Sequence, residues 1–258
     1  MNQPAGANWA VELRRFAKSY GNGWTGRRTV AVAGLTLRLP AGQIVGLLGP
    51  NGSGKSTTLR ALAGLLRPSA GECLVFGHAA GSSAARALVG YQPDAAGFAP
   101  NCTGTEFLLY CAGLSGLSSA TARDRVQEVL RWSRLDEAAS RKIGGYSKGM
   151  RQRLGLAQAI LHEPPLVLLD EPAGGLDPAG RLLLNQLIRD LAARGRTVVF
   201  SSHLLTQAEE LCDHVVLLGR GRLLAEGSPR ELLGNAWSPA PPPSPLEQLY
   251  LERMAADA

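Results

Sequence analysis

The chain has 258 residues, 45% of them hydrophobic, enough to bury a substantial core in one domain with a subdomain. No apolar run approaches the ~18–20 residues that span a bilayer, and the opening MNQPAGANWAVELRR lacks a secretory apolar core, so any work at a membrane requires another polypeptide to do the spanning. The formal charge of +6 is spread along the sequence without a block of like charges, which fits solubility or nearness to anionic headgroups and gives no sign of a nucleic-acid tract.

From residue 11 to 48 the sequence is β-rich. Thr29-Val-Ala-Val32 and Leu35-Thr-Leu-Arg-Leu39 alternate or run β-branched, with glycines and Pro40 marking turns. Ser19-Tyr20-Gly21 and a polar loop containing Trp24 precede them. Tyr20 either stacks on a purine ring or sits half-buried on a strand edge. Gln43-Ile-Val-Gly-Leu-Leu48 reads as a short buried strand. It runs into Gly49-Pro-Asn-Gly-Ser-Gly-Lys-Ser56, which satisfies G-x-x-x-x-G-K-[ST], the phosphate-cradling loop. Residues 56–66 then read as a helix with one apolar face. Gly49, Gly52 and Gly54 free the backbone of the loop, so past Pro50 the N–H groups of Asn51-Gly52-Ser53 and beyond can converge on one anion, aided by the helix N-terminus. Lys55 reaches the β- and γ-phosphates and the Ser56 hydroxyl, with Thr57 beside it, faces Mg²⁺.

Residues 71–77 and 87–91 read as further strands, followed by a Pro- and Gly-containing loop over 92–100. The pattern is helical from 105 to about 132, broken at Gly113–Gly116, and polar over the connector 141–148. It is helical again over 149–162. Pro164-Pro-Leu-Val-Leu-Leu-Asp-Glu171 delivers two carboxylates to the tip of a buried strand, where open parallel sheets bind ligands. Asp170 suits the Mg²⁺ shell and Glu171 suits activation of a water. Thr197-Val-Val-Phe-Ser-Ser-His203 repeats the design with His203, an imidazole able to sense a γ-phosphate. Residues 215–224 read as a hairpin turning at Gly219–Gly221. A proline-rich spacer over 238–245 precedes a short amphipathic tail over 246–254. Cys73, Cys102, Cys111 and Cys212 form no C-x-x-C pair, which argues against a metal site or a disulfide framework.

Together these motifs resemble the nucleotide-binding subunit of an ABC transporter. Gly174-Gly-Leu-Asp177 is similar to the family's D-loop and Tyr146-Ser-Lys-Gly-Met150 to its signature loop, usually L-S-G-G-Q. This variant, followed by Arg151-Gln-Arg153, resembles the subgroup serving ABC-2-type exporters. The resemblance implies an α/β fold: a P-loop NTPase core with an N-terminal antiparallel β subdomain and an inserted helical subdomain at about 101–162. The ATP-binding domain would cover residues 1–236, the linker and tail 237–258. It implies ATP and Mg²⁺ as ligands, Glu171 as general base and His203 as switch. Tyr20 would stack on adenine, and Ser56 and Asp170 would face the metal. Two copies would pair head to tail, with Ser147 and the Gly149 N–H binding γ-phosphate in trans and Asp177 at the interface. The partners implied are integral membrane permease subunits, at the cytoplasmic face of the membrane, with no nucleic acid. An alternative is a soluble ATPase of the same family acting in an assembly complex. One departure bears on the chemistry. The family usually places glutamine after Tyr-x-Pro, whereas this chain has Tyr91-Gln-Pro-Asp94. Asp94 is preferred over Gln92 for that role toward Mg²⁺.

Overall fold

The computed structural model describes residues 9–21 and 28–234, so the Trp24 loop, the proline-rich spacer and the tail lie outside the described residues. In chain order the first elements are β1 (Trp9–Gly21), β2 (Arg28–Pro40), β3 (Ile44–Leu48), α1 (Lys55–Leu62), β4 (Ala70–Val75), β5 (His78–Ala79), α2 (Ser83–Ala87) and β6 (Val89–Gln92). A helical segment follows with α3 (Gly104–Leu114), α4 (Ser119–Trp132) and α5 (Lys148–Ala159). The chain then re-enters the sheet with β7 (Leu166–Leu169), α6 (Pro178–Ala193), β8 (Thr197–Ser202), α7 (Leu205–Leu211), β9 (His214–Gly219), β10 (Arg222–Gly227) and α8 (Pro229–Leu233).

Two sheets result. One is antiparallel in the order β2-β1-β4-β5, and the other runs β10-β9-β3-β8-β7-β6. In the second, β3, β6, β7, β8 and β9 are parallel, and β10 alone is antiparallel. Its central strands are apolar on both faces, as a sheet covered on both sides requires. Alternation along β7 sends Val167 and Leu169 into the core shared with α4, α5 and α6. Leu166 and Leu168 point the other way, toward α1 and the antiparallel sheet. Register then fixes the functional edge. Leu48 pairs with Ser202, Leu169 with Phe200 and Gln92 with Leu169, so the C-terminal tips of β3, β8, β7 and β6 form one row.

The structure revises several sequence expectations. Segments 29–32 and 35–39 are one strand, β2, with a bulge at the expected turn: Phe16 pairs with Leu35 and Ala17 with Ala33. Helix α1 ends at Leu62 rather than residue 66. Gly64 takes φ +72 there, and its Cα face lies against Gly81, where an added Cβ would sit 2.4 Å from the Gly81 Cα. The helix expected over 149–162 starts at Lys148 and stops at Ala159. Helices α6 and α7 had no counterpart in the sequence reading, although α6 carries a strong start signal, the Asp177 cap followed by Pro178.

In the helical segment Leu108, Val126, Leu130, Ile143 and Leu154 are buried in one cluster that continues into Val167 and Leu169 of β7. Gln92 of β6 holds the segment through Gln152 of α5, and further ties lie near the end of α5. The Arg125 guanidinium donates to the carbonyls of Ile160 and Leu161 (3.0 and 3.1 Å), just past the end of α5. The Trp132 indole N–H donates to Asp190 of α6, and Arg194 lies 4.0 Å from Glu128.

Candidate active site

The P-loop wraps the first turn of α1. Gly54, the residue before the helix, takes φ +104 with the Ala31 carbonyl 2.8 Å from where a Cβ would be, so only glycine fits there without strain. Lys55 is buried, and its Nζ donates to the carbonyls of Gly49 (2.7 Å) and Pro50 (3.2 Å). The Ser53 hydroxyl in the same loop is buried and has no hydrogen-bond partner. An orphaned hydroxyl among glycines and a lysine, at a helix N-terminus, suits a polyphosphate, which supplies acceptors to all three.

At the tip of β7, Asp170 is fully buried. Its Oδ1 accepts from the hydroxyls of Ser56 and Ser201, both at 2.8 Å, and its Oδ2 lies 3.5 Å from the Tyr91 hydroxyl. Burial pushes the Tyr91 phenol up, and the neighbouring Asp170 charge adds to this, which keeps the phenol a donor. A hydrogen bond between Tyr91 and Arg60 raises the guanidinium in turn. The Ser201 hydroxyl also accepts from the Glu171 backbone N–H (2.8 Å), so one hydroxyl sets both acidic residues.

Glu171 has φ +46, a left-handed conformation that is uncommon outside glycine and that turns its side chain back across the strand tips. One carboxylate oxygen lies 3.4 Å from Lys55 Nζ and the other 2.9 Å from His203 Nδ1. The structure thus brings Lys55, Ser56, Asp170, Glu171 and His203 into one contiguous set. Tyr20 stands beside it, its hydroxyl 3.5 Å from the Thr57 hydroxyl and its ring 43% exposed. An exposed ring next to a phosphate-binding turn is placed to stack on a base.

Among the described residues no group of three His, Cys, Asp or Glu side chains could hold a metal. One buried carboxylate with the Ser56 hydroxyl fits Mg²⁺, which usually takes one or two protein oxygens and completes its shell with water and substrate phosphates.

Asp94 and Gln92 point to different places. Gln92 is fully buried against α5: its side chain lies 3.2 Å from where a Cβ on Gly155 would be, and its Nε2 donates to the Gln152 carbonyl at 3.2 Å and to Gln152 Oε1. Asp94 is exposed. Its Oδ1 lies 4.0 Å from where a Cβ on Gly174 would be, beside the turn that follows Glu171. Replacing Gln92 with alanine is expected to lower stability by about 1–3 kcal/mol, since Gln152 loses its partner. Asp94→Ala leaves the melting temperature unchanged and lowers ATP hydrolysis. Melting curves and turnover on both variants decide it. The reverse pattern would return the role to Gln92.

The signature loop forms a separate site. Ser147 caps α5, accepting from the Met150 N–H at 3.2 Å, and Tyr146 is buried with its hydroxyl donating to the Ala138 carbonyl at 2.7 Å. Ser147, Lys148 and Gly149 line a cavity of about 410 Å³ with Gly175, Leu176 and Asp177, and no residue of the P-loop lines it. Asp177 caps α6, its Oδ1 accepting from the Gly180 N–H at 2.7 Å. Sequence reading missed Ser201, Tyr91 and Lys148. Ser201 was visible only as one of two polar residues closing an otherwise apolar strand.

The model of the family described as ABC transporter matches residues 32–174. A protein of Nostoc sp. (strain PCC 7120), named an uncharacterized ABC transporter ATP-binding protein, is 40% identical over 214 residues, which are 82% of this chain and 64% of that protein. The chain therefore spans less than two thirds of that relative. The Nod factor export ATP-binding protein I of Burkholderia orbicola is 39% identical over 86% of this chain and 72% of its own length. A solved ATP-binding subunit of an ABC transporter superposes with a TM-score of 0.79 at 31% identity, over 95% of this chain and 99% of that one. The dimeric post-hydrolysis state of the ATP-binding cassette MJ0796, bound to ADP and Pi, gives 0.77 at 26% identity, over 84% and 98%. The motifs, the row of strand tips and these likenesses agree: the chain belongs to the ABC transporter family and carries its ATPase domain.

Proposed function

We propose that this chain is the ATP-hydrolysing subunit that powers export through a separate membrane permease, acting as a homodimer at the cytoplasmic face of the membrane. The observation that carries the reading is the division of the site. Lys55, Ser56, Asp170, Glu171 and His203 are assembled in one place, while Ser147, Gly149 and Asp177 surround a different cavity of the same chain. A second copy, turned head to tail, brings Ser147 and the Gly149 N–H to the γ-phosphate held by the first. The likeness to Nod factor export ATP-binding proteins and to the dimeric MJ0796 structure supports export and pairing. So does the Y-S-K-G-M signature loop.

In this mechanism Lys55 and the P-loop amides hold the β- and γ-phosphates, and Tyr20 stacks on the base. Glu171 takes the proton from the attacking water, and His203 fixes the free face of that carboxylate and reads the γ-phosphate. Ser56 and Asp170 would hold Mg²⁺, which would supply positive charge against the phosphates. Asp94 would take the glutamine's role toward that metal. Hydrolysis is expected to rise more than linearly with protein concentration in the dilute range, and the chain to enter the membrane fraction when its permease is co-expressed. Linear activity from a protein shown by sizing to be monomeric sinks the shared site. Permease-independent solubility with full activity favours the assembly-complex alternative.

A further inference from the structure

Gln92 is the last residue of β6, buried against α5, and Asp94 lies two residues further on, exposed and in a bend of the chain. Gln152 and Lys148 are four apart on α5, so they share a face, one turn or ~6 Å apart. Gln92 and Gln152 already meet, Gln92 Nε2 lying on the Gln152 carbonyl and amide. Asp94 and Lys148 lie beyond that contact, one just past β6 and the other on α5. Both line a cavity of about 320 Å³ with Phe98, Arg151 and Gln152. Both also border the same turn: Asp94 Oδ1 is 4.0 Å from where a Cβ on Gly174 would be, and Lys148 Nζ is 2.3 Å from where one on Gly175 would be. Among the described residues neither side chain has a hydrogen bond or an ion pair, and they lie beyond the 4.0 Å limit of one with each other.

We propose that Lys148 is a positioning residue for Asp94. When α5 draws toward the 92–100 loop, the ammonium closes on one carboxylate oxygen of Asp94 and leaves the other aimed at the nucleotide site. Arg151, the other cation lining the cavity, is already committed, its Nη1 donating to the Tyr146 carbonyl at 2.6 Å. This leaves Lys148 as the cavity's available cation. The pair also joins the two positions at which this chain replaces the neutral residues of the family pattern with charge, the acid in the 92–100 loop and the lysine in the signature loop. The inference rests on the reading that Asp94 serves the nucleotide site, and it adds that the signature loop of the same subunit sets where that carboxylate points.

A double-mutant cycle on the full chain tests it. Lys148→Met is expected to lower kcat/KM for ATP about fivefold and to raise the Mg²⁺ concentration for half-maximal activity about threefold, with Lys148→Arg restoring both. In the Asp94→Asn background, Lys148→Met has no further effect on either quantity. Equal losses in the two backgrounds, or no loss in either, overturn the proposal. A second measurement does not depend on activity. In the doubly substituted Asp94→Cys, Lys148→Cys chain, a short flexible bis-maleimide with ATP and Mg²⁺ present is expected to give an intramolecular cross-link between 94 and 148, read by peptide mass spectrometry. Its absence under conditions where ATP is bound also overturns the pair. Failure of the unmodified chain to hydrolyse ATP is a failure of the proposed function instead, and the cross-link still reports on the pair.

Discussion

Glu171→Gln is expected to abolish turnover while leaving ATP bound. Glutamine keeps the size and the hydrogen-bonding reach of the side chain, so His203 Nδ1 at 2.9 Å and the Ser201 bond to the backbone N–H are preserved. The substitution removes a base at the one position that faces both Lys55 and His203. Loss of a positioned general base costs about 10²–10⁴-fold, so steady-state hydrolysis is expected to fall by at least ~100-fold. Nucleotide trapping and size-exclusion chromatography supply the second half: the variant retains ATP and runs as a stable dimer where the parent reopens. A variant that keeps more than about a tenth of parental turnover would show that Glu171 is not the base.

The second large effect is expected at Lys55. Its side chain is 4% exposed, and its ammonium is ordered by two P-loop carbonyls and lies 3.4 Å from Glu171. Lys55→Ala removes the single buried cation of the loop. It leaves the Gly49 and Pro50 carbonyls without this donor and withdraws the charge that the phosphates meet. Charge-assisted contacts of this kind, acting on developing phosphate charge in a shielded site, carry about 10²–10³-fold in rate. Both ATP affinity and turnover are expected to fall by that order, measured by fluorescent-nucleotide titration and phosphate release. The contrast with Glu171→Gln is the informative part. One variant binds and does not hydrolyse; the other does neither. If Lys55→Ala binds ATP as tightly as the parent, the phosphate cradle lies elsewhere.

Much of this site was legible in the residue order, for local reasons. A strand apolar on both faces must be buried, so the polar residues that end it, Asp170-Glu171 and His203, must emerge at a sheet edge. The glycine pattern before Lys55 similarly needs only the next helix to be meaningful. What was not legible depends on register between distant segments. Ser201 joins Asp170 to Glu171 because β8 pairs with β7 at that row, and no spacing within either strand announces it. The choice between Gln92 and Asp94 likewise turns on α5 covering one side of β6, which buries Gln92. Helix α6 was missed for a different reason. Gly174, Gly175 and Gly180 around the Asp177-Pro178 start make the stretch read as loop, and the apolar face only appears from Leu184 onward.

The way the helical segment is fastened has a mechanical consequence. Its ties to the core include Arg125 on the carbonyls of Ile160 and Leu161, Trp132 on Asp190, and Gln92 of β6 on Gln152 of α5. Ser147 and Lys148 stand at the opposite end of α5 from Ile160, a helix of 12 residues and hence ~18 Å long. A rotation about the Arg125 end therefore also moves Gln152 against Gln92, one turn from Lys148. A turn of ~10° about that end of the ~18 Å helix carries the signature loop by roughly 3 Å. That is about the difference between a hydrogen bond and none. In the head-to-tail pairing proposed above, small rotations at the far side of the molecule would make or break contact with a neighbour's γ-phosphate, with α5 as the lever arm and Arg125 near its fulcrum.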